Sequence, residues 1–303
     1  MITLRITNNM MTQDLLRNLQ ASQGRMSQIQ NQMSSGYRIT RPSDDPVGIQ
    51  NALRMKSSIS AVEQWKSNAD EALGLMDTTD GTLGDMTSML QRVKELAVQA
   101  SNGTLSESDR ESIAIEVDQI FEQLRLVANT KNGSRYIFSG TATDKELITK
   151  DPVTSEFVWQ GNNEDVKFEV GNNLSLPISV NGQTLFKEPL TGAAGVFDTL
   201  SALSTALRDN NSAAIEDSLK DIEGNIDNVL AHRANIGART NRMTALREQL
   251  DTTSYNLIQN LSAIQDADIA KTIIEFKNSE NVYKASLSVG AQIIQPSLVD
   301  FMR

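Results

Sequence analysis

Apolar residues recur at coiled-coil-like intervals toward both ends of this chain and at strand-like intervals only in its middle. From Asn9 to Ser34, Leu15, Leu19, Met26, Ile29 and Met33 follow the alternating four-three step of a helical seam, with Ser22 the one weak position. Ser35-Gly36 ends this helix. The segment Thr40 to Pro46 then reads as a loop in which Asp45 caps a new helix with Pro46 at its first position. That second helix is predicted from Pro46 to Ala100, about 80 Å long at ~1.5 Å per residue. Val62, Ala69, Met76, Leu83, Leu90 and Ala97 recur along it at heptad spacing. Gly81 and Gly84 interrupt good helix formers, so a weak point or the close approach of a neighbour is expected there. Asn102-Gly103 stops the helix, and Ser106 or Ser108 can cap the next one. The seam of this third helix is Ile113, Val117, Ile120, Leu124 and Val127, and Asn132-Gly133 is expected to close it.

Between Ser134 and Pro189 the period falls to two. Val166, Phe168 and Val170 alternate with Lys167 and Glu169, and Leu174, Leu176, Ile178 and Val180 alternate with Ser175, Pro177 and Ser179. Pro177 argues for an edge strand. Asn181-Gly182 is expected to turn a hairpin, and with Gly161-Asn162 and Gly171-Asn172 it suggests a small antiparallel meander. Phe157, Trp159 and Phe168 are expected to serve its core. Helices resume at Val196. One carries Leu219, Ile222, Ile226, Val229, Ile236, Met243 and Leu250 on a seam, with Arg233, Thr240 and Arg247 or its neighbour Leu246 at the intervening positions. The last, after Asp266, places Ile269, Ile273, Phe276, Tyr283, Leu287 and Ile294 on a stripe, with Leu298 in the tail beyond. The expected fold is therefore mainly α: a long coiled-coil-like helical rod formed by both chain ends, with an inserted small antiparallel β domain. The expected divisions are residues 1–45 with 256–303, residues 46–133 with 196–255, and the insert at 134–195. Amphipathic helices at both ends are marginal alone, and residues 1–45 and 256–303 are expected to fray in the isolated chain.

Composition narrows the chemistry. The 303 residues carry a net charge of -10, which disfavours nucleic acid, because phosphate binding needs a basic surface. There is no cysteine, so disulfides and thiolate chemistry are excluded. No apolar run approaches the ~18 residues of a membrane span, and the first residues lack the apolar stretch of a signal peptide. His232 is the only histidine; nothing near it supplies a nucleophile elbow, and an exposed or partner-facing helix position is expected. Asp44-Asp45 beside prolines read as turn and cap residues rather than a carboxylate dyad or a calcium site. Glycines occur singly, without a phosphate-binding loop. No enzyme activity, cofactor or metal is expected.

Several separate motifs resemble the flagellin family, in the family's order. They are Met33-Ser34-Ser35-Gly36-Tyr37-Arg38-Ile39, Ser43-Asp44-Asp45-Pro46-Val47-Gly48, Thr78-Thr79-Asp80-Gly81-Thr82-Leu83 and Leu90 to Gln99. Arg239-Thr240-Asn241-Arg242-Met243 and Ile264-Gln265-Asp266-Ala267-Asp268-Ile269-Ala270 complete the set. The resemblance covers roughly residues 1–133 and 205–303. Gln265 stands where flagellins commonly have Glu. Tyr136-Ile137-Phe138-Ser139-Gly140-Thr141 and the ending Gly290 to Phe301 are similar to the family's junction adaptors rather than to its filament subunits. The resemblance implies a structural subunit of the bacterial flagellum, an adaptor joining the hook-associated ring to the filament, with filament or accessory flagellin as the alternative. It implies hook-associated protein 1, flagellin, copies of the chain itself and a flagellar export chaperone as partners, with no nucleic acid and no membrane insertion. It also implies an extracellular place at the hook–filament junction, reached by type III export without a cleaved signal. The terminal seam residues Leu15, Leu19, Met26, Ile29, Met33, Ile269, Ile273, Phe276, Tyr283, Leu287, Ile294 and Leu298 would then serve subunit assembly. Arg92, Leu96 and Glu116 match positions of the flagellin surface that an innate immune receptor recognises.

Overall fold

A computed structural model describes residues 8–102, 105–150 and 157–294. Its helices are α1 (Asn8–Ser35), α2 (Pro46–Ala100), α3 (Glu107–Ala128), α4 (Val196–Arg208), α5 (Ser212–Gln265) and α6 (Ile269–Ile294). Between α3 and α4 lie six short strands: β1 (Lys131–Asn132), β2 (Arg135–Tyr136), β3 (Ile148–Lys150), β4 (Phe157–Trp159), β5 (Lys167–Gly171) and β6 (Leu174–Pro177). A π-helical turn, Gln183–Lys187, follows them. The chain forms two compact units, residues 1–61 with 254–303 and residues 62–253.

In the second unit, heptad residues of α2 are buried from Val62 to Ala97, and from Ala69 onward they share one core with those of α3 and α5 (Ile113, Val117 and Leu124; Ile222, Val229, Ile236 and Met243). The intervening positions of α5 bind α2 in turn. Arg233 donates to both oxygens of Asp80 at 3.1 and 3.3 Å, the Thr240 hydroxyl reaches the Met76 sulfur at 3.7 Å, and Arg247 pairs with Asp70. Ser106 caps α3 through a reciprocal box with Asp109, whose carboxylate pKa is lowered by the Ser106 hydroxyl and amide.

The middle of the chain differs from the meander expected of it. Its strands form three separate antiparallel ribbons, β1–β2, β3–β4 and β5–β6. Asn132-Gly133 turns the first ribbon, with Gly133 at φ +61, whereas α3 already ends at Ala128 with Asn129 as its C-cap. Asn181-Gly182 turns no hairpin. Gly182 has φ -65 and opens the π-helical turn, which buries Leu185 and Phe186. Glycine is needed there for space rather than for conformation, since a Cβ would lie 2.5 Å from the Phe138 carbonyl oxygen. Phe138, Phe186, Phe197 and Trp159 meet edge-to-face or stacked, with ring centroids 5.6 to 6.2 Å apart. Phe168 packs against the same core, and the Phe157 side chain lies outside the described residues.

Candidate assembly site

The first unit brings together the two most distinctive motifs of the sequence. Gly36, at φ +74, ends α1 and frees the backbone to run beside the α5–α6 connection. There the Arg38 amide donates to Gln265 O at 2.7 Å, and the Ala267 amide donates to Gly36 O at 2.9 Å. The Arg38 guanidinium reaches Ile264 O at 2.7 Å, satisfying a carbonyl at the C-terminal end of α5. Ile39 is fully buried behind this knot, and Gln265 is buried with it.

The following loop is fixed by its carboxylates. Asp44 Oδ2 accepts from the amides of Arg41 and Thr40 at 2.9 and 3.1 Å, which hold its carboxyl below the usual range. Asp45 accepts from the Gly48 amide at 2.8 Å and caps α2. Gly48 leaves room for this arrangement, because a Cβ there would lie 2.6 Å from the Ile39 Cδ1 atom. Asp268 caps α6 through the Lys271 amide at 3.0 Å.

Helices α1 and α6 pack together. On α1, Leu15, Leu19, Met26, Ile29 and Met33 are half-buried, and Ser22 is the one fully shielded side chain among its described residues. On α6 the shielded positions are Thr272, Phe276, Ser279, Tyr283, Ser286 and Gly290, with Glu280 also half-buried. They follow a four-three step, so the seam is built largely from small residues. Gly290 shows why: a Cβ there would lie 2.7 Å from Leu15 Cδ2, so the bare backbone admits that leucine without a change of its rotamer. Close approach leaves the larger aliphatics of α6 on its flank. Ile269, Ile273 and Leu287 are 45, 43 and 45 % exposed, so the stripe expected of them with Phe276 and Tyr283 divides into two faces. The side chain of Ile294 and the whole of Leu298 lie outside the described residues. Among the described residues, most large apolar side chains that remain exposed belong to this unit, including Met10, Leu16, Val47, Leu53 and Tyr255. Glu280 bonds Lys284 and Lys277 at 2.7 and 2.9 Å, and these ammonium groups lower its pKa to about 2.

The receptor-like trio does not form one exposed patch. Arg92 bridges Glu116 at 2.8 Å and Glu95 at 3.2 Å, and these carboxylates raise its pKa. Leu96 is 2 % exposed and belongs to the core, because its position in α2 falls on the inward face beside Val93 and Ala97. His232 is likewise not a freely exposed residue. It lines a cavity of about 300 Å³ with Asp165, Asn181, Thr184 and Arg239, and its Nε2 is buried without a protein partner. Desolvation, then the charge of Arg239, lowers its pKa against the opposing effect of a hydrogen bond to the Thr184 backbone. Among the described residues no group of three His, Cys, Asp or Glu side chains is placed to hold a metal, and no helix is long and apolar enough to cross a membrane.

A helical seam, a backbone knot between distant motifs and a flank of unburied aliphatics describe a subunit that works by packing. The sequence agrees with that class: residues 6–143 match the bacterial flagellin N-terminal helical region, and residues 219–302 match the bacterial flagellin C-terminal helical region. The chain belongs to the flagellin family and is a structural component of the flagellum. Flagellar hook-associated protein 3 of Escherichia coli K12 is 27% identical over 304 residues, 93% of this chain and 95% of that protein. Flagellin of Bacillus subtilis 168 is 28% identical over 305 residues, 96% of this chain and 97% of that protein. Among solved structures, a flagellar hook-associated protein from Vibrio parahaemolyticus superimposes with a TM-score of 0.67 at 21% identity, over 74% of this chain and 100% of that one. FlgL of Bacillus cereus gives a TM-score of 0.58 at 25% identity, over 69% and 99%.

Proposed function

We propose that this chain is the adaptor at the hook–filament junction, joining the hook-associated ring to the flagellin filament by helix packing and without chemistry of its own. The observation that carries this reading is the row of half-exposed aliphatics on α6, beside a seam already filled by small residues. Such a face gains from burial against further helices. The solved hook-associated and FlgL folds, matched over nearly their whole length, support the junction over the filament. On this reading its partners are hook-associated protein 1, flagellin and further copies of itself, with an export chaperone before assembly. Its place is extracellular, reached through the flagellar type III channel.

The alternative, a filament subunit, draws support from the comparable identity to Bacillus subtilis flagellin. Complementation separates the two. In a bacterium whose own junction gene is deleted, hooks should lack filaments and monomeric flagellin should appear in the medium. This chain should restore filaments. Filaments that persist in the deletion strain would move the filament reading to first place.

A further inference from the structure

We propose that residues 74–88 of α2 form a compliant joint, a stretch of helix built to bend. Eight of its fifteen residues are Gly, Ser or Thr, whereas the flanking stretches 62–73 and 89–100 contain no glycine. Five hydroxyls bond back to carbonyls of their own helix. Thr78 donates to Gly74 O at 2.8 Å, Thr79 to Leu75 O at 2.8 Å and Thr82 to Thr78 O at 2.7 Å. Thr87 donates to Leu83 O at 2.8 Å and Ser88 to Gly84 O at 3.1 Å. Each hydroxyl competes with the ladder amide for its carbonyl and loosens the helix where it does so. The Gly74 carbonyl is also approached by Asn132 Nδ2 at 3.4 Å, and the same amide bonds the Thr78 hydroxyl at 3.2 Å.

Packing does not explain the glycines. A Cβ at Gly74 or Gly81 would meet nothing within 4 Å, so the bare backbone there serves freedom of movement rather than space. Packing does not explain Thr79 either. It is 2 % exposed between Met76 and Leu83, where an aliphatic would bury as well, and the hydroxyl bond recorded for it goes to its own helix. The joint is held from α5. Arg233 grips both oxygens of Asp80, and its guanidinium lies 3.8 Å from where a Cβ on Gly84 would sit. What the joint is for rests on the junction reading, since an adaptor between two lattices must accommodate both. The mechanical claim does not depend on it.

Amide exchange on the full-length monomer tests the claim. Residues 76–88 should exchange faster than 62–73 and 89–100 of the same helix. Gly74→Ala and Gly81→Ala should each slow that exchange about two- to fivefold and raise the melting temperature. Thr79→Val should slow it in the same direction, and Arg233→Ala should speed it. Uniform exchange along α2, or a fast stretch indifferent to both glycine substitutions, overturns the proposal. In the complementation strain the stiffened double variant should fold yet yield fewer filaments than the unsubstituted chain. If the unsubstituted chain itself fails to restore filaments, the junction reading falls while the exchange result stands.

Discussion

Replacing Leu287 with Asp should separate folding from assembly. In the isolated chain Leu287 is already 45 % exposed, so folding buries only about half of it. Full burial of a leucine side chain stabilises by about 1.5–3 kcal/mol, and half of that is about 1 kcal/mol. The substitution should therefore lower the stability of the monomer by about 1 kcal/mol. Assembly is affected more. The remaining half of the leucine contact is lost, and an unpaired carboxylate held against an apolar partner costs several kcal/mol even after relaxation and water penetration. Urea denaturation followed by circular dichroism measures the first quantity, and filaments per hook in the complementation strain measure the second. Normal filament numbers with Asp at 287 would refute the argument that this flank docks. A loss of monomer stability beyond about 3 kcal/mol would refute it differently, by making Leu287 a core residue.

Two further outcomes follow from the site and the cavity. Gly48→Ala should destabilise the first unit by about 1–3 kcal/mol, because the new methyl group collides with Ile39 and displaces the Asp45 cap. Amide exchange should show the loss in residues 8–61 and 254–294, with residues 62–253 unchanged. For His232 the folded pKa lies below the ordinary 6.5, so the unfolded chain binds the proton more readily. Stability should be full above pH 6.5 and fall as the pH drops from 6.5 to the folded value. His232→Gln should flatten that slope in urea midpoints measured between pH 5 and 8, with Asp165 and Arg239 the other charges lining the cavity.

Long helices were legible because their signals were redundant. The heptad seams mark the buried faces, Asp45 before Pro46 marks the start of α2, and Ser106, one of the two serines that could cap α3, does so; the end of α3 comes earlier than Asn132-Gly133 suggests. The sequence is ambiguous where one residue type serves two purposes. Asn181-Gly182 has the composition of a hairpin turn, yet the glycine is there because Phe138 crowds it, and crowding has no local signature. On α6 the largest aliphatics suggest a single stripe through Ile269, Ile273 and Leu287. The structure keeps the expected Phe276 and Tyr283 in the seam but alternates them with Thr272, Ser279, Ser286 and Gly290, and only Leu15 placed opposite Gly290 shows why a bare backbone serves there. Leu96 lies three residues after Val93 and one before the heptad position Ala97, which puts it on the inward face, whereas likeness to a known surface points it outward. The knot of Arg38, Ile39 and Gln265 joins positions 226 or so apart, and only the coincidence of two family motifs hinted at it.

That separation has a consequence for the order in which the molecule completes itself. Until Ala267 is available, the Gly36 carbonyl and the Arg38 amide have no partners, so the knot must wait for nearly the whole chain. The interior, from Val62 to Thr253, has a core of its own, and the Lys66–Asp251 pair draws its two exits together. Closing it first shortens the remaining loop from more than two hundred residues to a few helical turns on either side, which lowers the entropy that closure must overcome. By this argument the stretch from Val62 to Thr253 closes first, and α1 and α6 are expected to be the last helices to take shape.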